Sequence, residues 1–119
     1  MTAAQKGAFG EKLAAAYYKK AGYKLLAANY RTRFGEVDLI VQKGGMYVFA
    51  EVKTRGANSP SRPAELVGKG KQQRLILAAQ KYLQENNLAE PFTRFDVVEV
   101  IFDTTEKPSL TCLENAFGV

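Results

Sequence analysis

The chain has 119 residues, with 17 Lys plus Arg against 12 Asp plus Glu, a formal charge of +5, no histidine, no tryptophan and one cysteine, Cys112. These counts exclude Ser-His-Asp and Cys-His nucleophile pairs, an imidazole general base, histidine-ligated zinc or haem, internal disulfides and thiolate-held clusters. Enzymatic chemistry would have to come from carboxylates, lysines, hydroxyls and a metal held by oxygen.

The length favours one domain over residues 1–119, able to bury roughly 65% of the surface of its unfolded chain. A hydrophobic fraction of 46% and a charged fraction of 24% are ordinary for a globular protein. No apolar run approaches the ~20 residues of a membrane span, and charges interrupt the N-terminal segment where a signal peptide needs an apolar stretch. The expectation is a cytoplasmic protein with no membrane partner. A pI of about 9.4 favours a polyanionic partner, nucleic acid first.

In chain order, residues 5–21 predict a helix with Phe9, Leu13, Ala16 and Tyr17 on one face, apolar nearly all round. Its one carboxylate, Glu11, shares a face with Ala15 and Tyr18 and so is expected to lie against protein. Gly22 fits the helix C-cap, and Tyr23–Tyr30 predicts a strand broken or bent at Asn29. Glu36–Gln42 and Met46–Thr54 predict a hairpin around Lys43-Gly44-Gly45. Residues 55–70, rich in Gly and Pro, predict a mobile loop within the domain. A helix over Lys71–Glu85 buries Leu75, Ile76, Ala79, Tyr82 and Leu83. Strands follow at Arg94–Phe102 and Leu110–Phe117, with Cys112 expected as a small buried apolar residue. This order points to an α/β fold with a mixed β-sheet flanked by helices.

Polar residues inside apolar strands carry the chemistry. Strand periodicity puts Glu36 and Asp38 on one face of their strand, and Glu51 and Lys53 on one face of the next, so hairpin pairing can bring the two sets together. Such a patch is costly to desolvate unless its groups are paired or hold a cation. A hard ion such as Mg²⁺ takes oxygen ligands and keeps waters and a substrate phosphate, with Asp38 and Glu51 as protein ligands. The Lys53 ammonium can orient the attacking water or stabilise the charge of a phosphorane-like transition state. Taken alone, Asp38 also reads as a strand-end hydrogen-bond acceptor, and Glu51 with Lys53 as a solvated strand face.

Asp38, twelve residues, then Glu51-Val52-Lys53 resembles the D…(D/E)xK signature of the restriction-endonuclease-like nucleases. Val37 stands where the motif's name has a proline. Glu11 on the preceding helix resembles the additional acidic ligand of the Holliday-junction-resolvase branch. Through GEKLAAAYYKKAGYKLLAANYRTRFGEVDLI, VFAEVKTR, KQQRLILAAQKYL, RFDVVEV and ENAF, the chain also resembles the YraN-like family of small bacterial proteins over nearly its whole length. The resemblance implies a restriction-endonuclease-like αβββαβ core. It also implies a Mg²⁺- or Mn²⁺-dependent endonuclease acting on DNA, branched DNA included. By resemblance, Asp38 and Glu51 are metal ligands, Lys53 is the catalytic lysine, Glu11 is an outer ligand or water-holder, and the Gln72 amide points into the site. Glu11 reads equally well as a partner for Arg31 or Lys53, and Glu36 as a supporting residue.

Lys53, Arg55, Arg62, Lys69, Lys71 and Arg74 crowd the stretch after the hairpin against one acid, Glu65. The functional expectation is a phosphate-gripping flap; the plainer one is a solvated loop. Tyr17, Tyr18 and Tyr82 could stack on bases but are at core spacing. A two-fold branched substrate would suit a homodimer. The competing functional expectation is a nucleic-acid-binding adaptor on a nuclease fold, serving DNA uptake, recombination or repair.

Overall fold

The computed structural model describes residues 1–56, 67–88, 91–102 and 107–118. Helix α1 (Ala3–Lys20) starts two residues before its predicted position because Thr2 and Gln5 form a capping box. The Thr2 hydroxyl accepts from the Gln5 N–H (3.1 Å), and the Gln5 side chain accepts from the Thr2 N–H (2.8 Å). Gly22 follows the helix with φ +95°, a conformation that glycine adopts without Cβ strain.

The sequence leaves α1 apolar nearly all round, and the fold selects one side of it. Gly10, Ala14 and Tyr18 face the sheet, while Phe9 and Tyr17 are exposed. A Cβ at Gly10 would collide with the Thr54 side chain. The helix therefore approaches the sheet closely at Gly10 and Ala14, with Tyr18 buried further along the same side and Phe9 and Tyr17 left at the rim. Apolar size is a poor guide where backbone proximity decides the packing.

Strands β1 (Lys24–Arg31), β2 (Glu36–Lys43) and β3 (Met46–Gly56) form an antiparallel meander, with β2 and β3 joined by the predicted Gly44-Gly45 turn. Helix α2 (Lys69–Glu85) then crosses over to β4 (Phe92–Phe102), which runs parallel to β3, and β5 (Ser109–Phe117) adds antiparallel to β4. The five strands lie in the order β1-β2-β3-β4-β5. The result is the expected mixed α/β sheet with helices on its faces, in the order αβββαββ. Strand β3 ends later and α2 begins earlier than the predicted loop 55–70 allowed; positions 57–66 of that loop, including Arg62, lie outside the described residues.

Each face of the sheet carries its own core. Ala14 and Tyr18 of α1 pack on Leu39, Val41, Val48, Ala50, Val98 and Val100. Leu75, Ile76, Ala78 and Ala79 of α2 pack on Val37, Ile40, Phe49, Phe95 and Val97. Ala78 joins the predicted α2 stripe, whereas Tyr82 and Leu83 are only half-buried. Strand β4 is covered on both faces, and this explains its nearly continuous apolar run. Among the described residues no helix is long and apolar enough to cross a membrane.

The β1–β2 turn is fastened to α2. The Thr32 hydroxyl donates to the Gly35 carbonyl (3.0 Å) and accepts from the N–H groups of Phe34 (3.0 Å) and Gly35 (3.1 Å). A Cβ on Gly35 would come within 2.7 Å of the Arg74 carbonyl oxygen and 2.9 Å of its Cβ. Neither neighbour is a flexible side-chain end, so Gly35→Ala is expected to cost about 1–3 kcal/mol by overpacking. Urea unfolding checks this, and a variant as stable as the parent would show that turn and helix separate freely.

Candidate functional site

The β2–β3 ladder runs from Lys43↔Met46 to Leu39↔Ala50 and stops there. One step further, where the register sets Asp38 across from Glu51, a side chain takes over: Asp38 Oδ2 accepts from the Val52 N–H at 2.8 Å. Residue alternation also changes phase at this level. Val37 and Ile40 both belong to the α2-side core, although Leu39 and Val41 belong to the α1-side core. On the neighbouring strand Ala27 and Tyr30 both pack on the α2 side, with Asn29 between Ala28↔Leu39 and Tyr30↔Val37 at φ +53°. The predicted break at Asn29 is thus part of a kink across two strands. It opens a fork in the sheet, and Asp38 sits in the fork.

Glu51 is almost wholly buried, on the α2 side of β3. Its Oε1 receives two ammonium groups, Lys53 Nζ at 3.4 Å and Lys71 Nζ at 3.3 Å. Its Oε2 is buried and accepts no hydrogen bond from any described residue. Leaving a carboxylate oxygen unpaired in the interior is costly, so this atom calls for a cation or a proton. The adjacent Asp38 responds to the same crowding. Burial first, then the charges of Glu51 and Glu11 and a carboxyl–carboxylate hydrogen bond with Glu51, push its carboxyl up to about 7, against the opposing effect of the Val52 N–H.

Asp38, Glu51 and Lys53 are therefore brought together. Glu11, half-buried on α1, acts on Asp38 through its charge and makes no ion pair with Arg31 or Lys53. Among the described residues no three acidic or thiol side chains cluster closely enough to hold a metal ion. The centre is a carboxylate pair. That donor set still fits Mg²⁺ or Mn²⁺, because a hard ion of this size is commonly held by one or two carboxylates, with waters and a phosphate completing its shell. The free Glu51 oxygen is the position at which it fits.

The other candidate residues divide. Lys71, expected to contact nucleic acid, is seated on Glu51. The Gln72 side chain donates to the Val67 carbonyl at 2.9 Å and so ties down the entry to α2. Arg55 is mostly buried and bonds through Nε to Glu99, a buried carboxylate of β4 that the sequence reading did not single out. Glu36 pairs with Arg31 at 3.2 Å. Lys69 and Arg74 are exposed, and Arg74 joins Arg31, Arg33, Phe34 and Lys71 along an open cleft of roughly 380 Å³. Arg31 and Arg33 could have been suspected from their spacing in Arg31-Thr32-Arg33, but nothing in the sequence brings that turn to α2. Tyr18 belongs to the core, Tyr82 packs against Tyr30 and Phe49, and Tyr17 stands at the surface.

Together the fold and the site define an α/β domain with a carboxylate pair and two lysines at a fork in its sheet. The chain belongs to the Uncharacterised protein family UPF0102, which it matches over residues 10–100, a span holding every candidate residue. It is 42% identical over 111 residues to the UPF0102 protein of Alkaliphilus metalliredigens, covering 93% of this chain and 96% of the relative. The UPF0102 protein of Rhodococcus opacus is 41% identical over 111 residues (93% and 94%), and that of Syntrophus aciditrophicus 46% over 94 residues (79% and 74%). This is the family to which the YraN-like resemblance pointed.

Proposed function

We infer that this protein is a metal-dependent endonuclease of the restriction-endonuclease-like class, hydrolysing DNA phosphodiesters at the β2–β3 fork. The observation that carries the reading is the unpaired, buried Oε2 of Glu51 beside the Asp38 carboxyl, with two ammonium groups held on the opposite oxygen. An ion pair serving stability alone gains nothing from an orphaned oxygen.

Asp38 and Glu51 would hold Mg²⁺ or Mn²⁺. When bound, the ion supplies a water of lowered pKa and polarises the phosphodiester. The remaining functions fall to this chain's own residues. Asp38 is fixed by the Val52 N–H, so one oxygen is committed to the backbone and the carboxyl cannot swing away from the fork. Lys53 is anchored on Glu51 and 30% exposed, so its ammonium faces both the carboxylate and solvent. There it can orient the attacking water and offset the negative charge that gathers on phosphorus oxygens as the water bonds and the ester oxygen leaves. Lys71, 39% exposed and equally close to Glu51, offers a second positive charge to the incoming phosphate. No histidine is needed at any step.

The test is cleavage of linear, flapped and four-way DNA with Mn²⁺, comparing wild type with Lys53→Ala. Loss of one fixed positive charge at the transition state predicts a fall of about 10²-fold or more in rate. Cleavage unchanged by that substitution assigns the activity to a contaminant. No cleavage of any substrate, with tight salt-sensitive binding, would favour the adaptor on the same fold.

A further inference from the structure

The β1–β2 turn carries an exposed aromatic ring among basic side chains, in a cleft shared with Lys71, the lysine seated on Glu51. Phe34 is 38% exposed, and the Arg33 guanidinium lies over its ring, 4.8 Å from the centroid. The ring is not at the end of a loose loop: the Thr32 hydrogen bonds close the turn, and Gly35 rests on the backbone of Arg74. Two open clefts meet at this ring. One, of roughly 380 Å³, continues to Lys71 and Arg74; the other, of roughly 480 Å³, runs toward Tyr30 and Lys81. Both volumes are in the range of small-ligand sites, ~300–1,000 Å³.

The charges in the first cleft are poised for phosphate. Among the described residues Arg33 and Arg74 make no ion pair, while Arg31 is balanced by Glu36 and Lys71 by Glu51. Lys71 thus belongs both to the cleft and to the carboxylate centre, and a strand lying in the cleft would be led from the Phe34 ring to the ammonium that sits on Glu51. An aromatic ring at a rigid turn, backed by a guanidinium, offers a stacking surface to a base whose own face is free. Bases within a continuous duplex have both faces covered by their neighbours and cannot use it.

We propose that the Arg33–Phe34 turn is a stacking platform for an unpaired base, so that the substrate is a nucleic acid with single-stranded nucleotides beside the bond to be cut, as in a flap, a fork or a free strand. Only the position of the cut rests on the endonuclease reading; the stacking itself does not.

Binding in EDTA tests the platform without catalysis. Fluorescence anisotropy with single-stranded, flapped and duplex DNA of equal length is expected to show the first two bound about tenfold more tightly than the duplex. Phe34→Ala should abolish that preference, and Phe34→Tyr should retain it. A 2-aminopurine placed in the unpaired segment should be quenched by wild type and by Phe34→Tyr, but not by Phe34→Ala. Arg74→Ala should weaken all three substrates alike and reduce the salt dependence by about one phosphate contact. Phe34 is at the surface, so the thermal midpoint of its variants should match wild type. Equal affinity for duplex and single strand, or a preference that survives Phe34→Ala, overturns the platform. Asp38→Asn separates the two ideas: the platform requires that it keep the single-strand preference even though cleavage is lost. Cleavage by wild type with no such preference rejects the platform alone, and a Phe34-dependent preference in a protein that cuts nothing supports it while the endonuclease reading fails.

Discussion

Replacing Asp96 with alanine is expected to destabilise the protein by about 3–5 kcal/mol, the usual cost of removing one partner from a buried charge pair. Asp96 has no exposed surface. Its Oδ1 accepts from Arg94 Nε (2.8 Å) and the Asn115 N–H (3.0 Å), and its Oδ2 from the Tyr18 hydroxyl (2.7 Å) and Arg94 Nη2 (3.0 Å). One carboxylate therefore joins α1, β4 and β5. Asn115 is itself held at φ +51°, beside the register shift between Phe95 and Val97, so its N–H reaches the carboxylate where the β4–β5 ladder is irregular. Alanine would leave the Tyr18 hydroxyl and the Asn115 N–H without this acceptor, and the mostly buried Arg94 guanidinium with only the Tyr23 hydroxyl (3.1 Å) and the exposed Glu114 (3.7 Å). Each is costly to bury unpaired. For a domain of this size the midpoint should fall by more than about 10 °C. Asp96→Asn retains an acceptor but not the charge that supports Arg94, and should fall in between. Thermal and urea unfolding measure both; an alanine variant within about 1 kcal/mol of wild type would show that the network does not staple α1 and β5 to β4.

That network also marks a limit of reading the sequence. Arg94 and Asp96 are two apart in a strand, the pattern of a solvated face, and nothing local reveals that Tyr18, 78 positions away, closes the site from the other side. Cys112 was expected to be a small apolar residue; it is half-buried, and its thiol lies 3.6 Å from the Tyr18 hydroxyl and 3.7 Å from Asp96. Burial and the Asp96 charge push the Tyr18 phenol upward, which keeps it a donor. Asp38, Glu51 and Lys53 were legible for the opposite reason. They interrupt strands that are otherwise apolar, and a two-residue turn leaves the hairpin little freedom of register. The chemistry of Lys71 was half legible: its charge pointed to phosphate, but its seat on Glu51 depends on how α2 crosses the sheet. The pairing of Arg55 with Glu99 was hidden for the same reason: Arg55 pointed to a phosphate-gripping flap, and nothing local set Glu99 apart. The side of α1 that meets the sheet was not legible because Gly10 carries no apolar signal, yet only a residue that small lets the helix sit on Thr54 and Val100.

Asp38→Asn should make the metal-free protein more stable at alkaline pH while removing the proposed cleavage. In the folded protein the Asp38 carboxyl is raised from an ordinary 3.8 to about 7 by burial and by the charges of Glu51 and Glu11. The folded state thus binds more protons than the unfolded state between about pH 4 and pH 7. The stabilising contribution is complete below pH 4, declines as the pH rises through 7, and is absent above it. Holding the ionised form folded at pH 8 corresponds to about 4 kcal/mol. Asparagine carries no charge and can still accept from the Val52 N–H, so most of that penalty should vanish. A gain of about 2–4 kcal/mol is expected at pH 8, and less than about 1 kcal/mol at pH 4.5, where the native carboxyl is already neutral. Comparing wild type with the variant at both pH values cancels the titration of the groups that do not interact with Asp38.

Cation binding gives the second half of the experiment. A divalent ion held by Asp38 and Glu51 relieves the same repulsion, so millimolar Mg²⁺ or Mn²⁺ should raise the wild-type midpoint at pH 8 by mass action, about 2.7 kcal/mol at a hundredfold excess over Kd. The variant should respond little, because half of the donor pair is gone. A variant that is stabilised at pH 8 in a protein indifferent to both ions would mean that the strain in the fork is real but that no cation relieves it. A variant less stable than wild type at pH 8 would mean that the neighbouring ammonium groups already compensate both carboxylates. Only stabilisation of the variant together with loss of the metal response fits a site whose repulsion is retained in order to hold an ion.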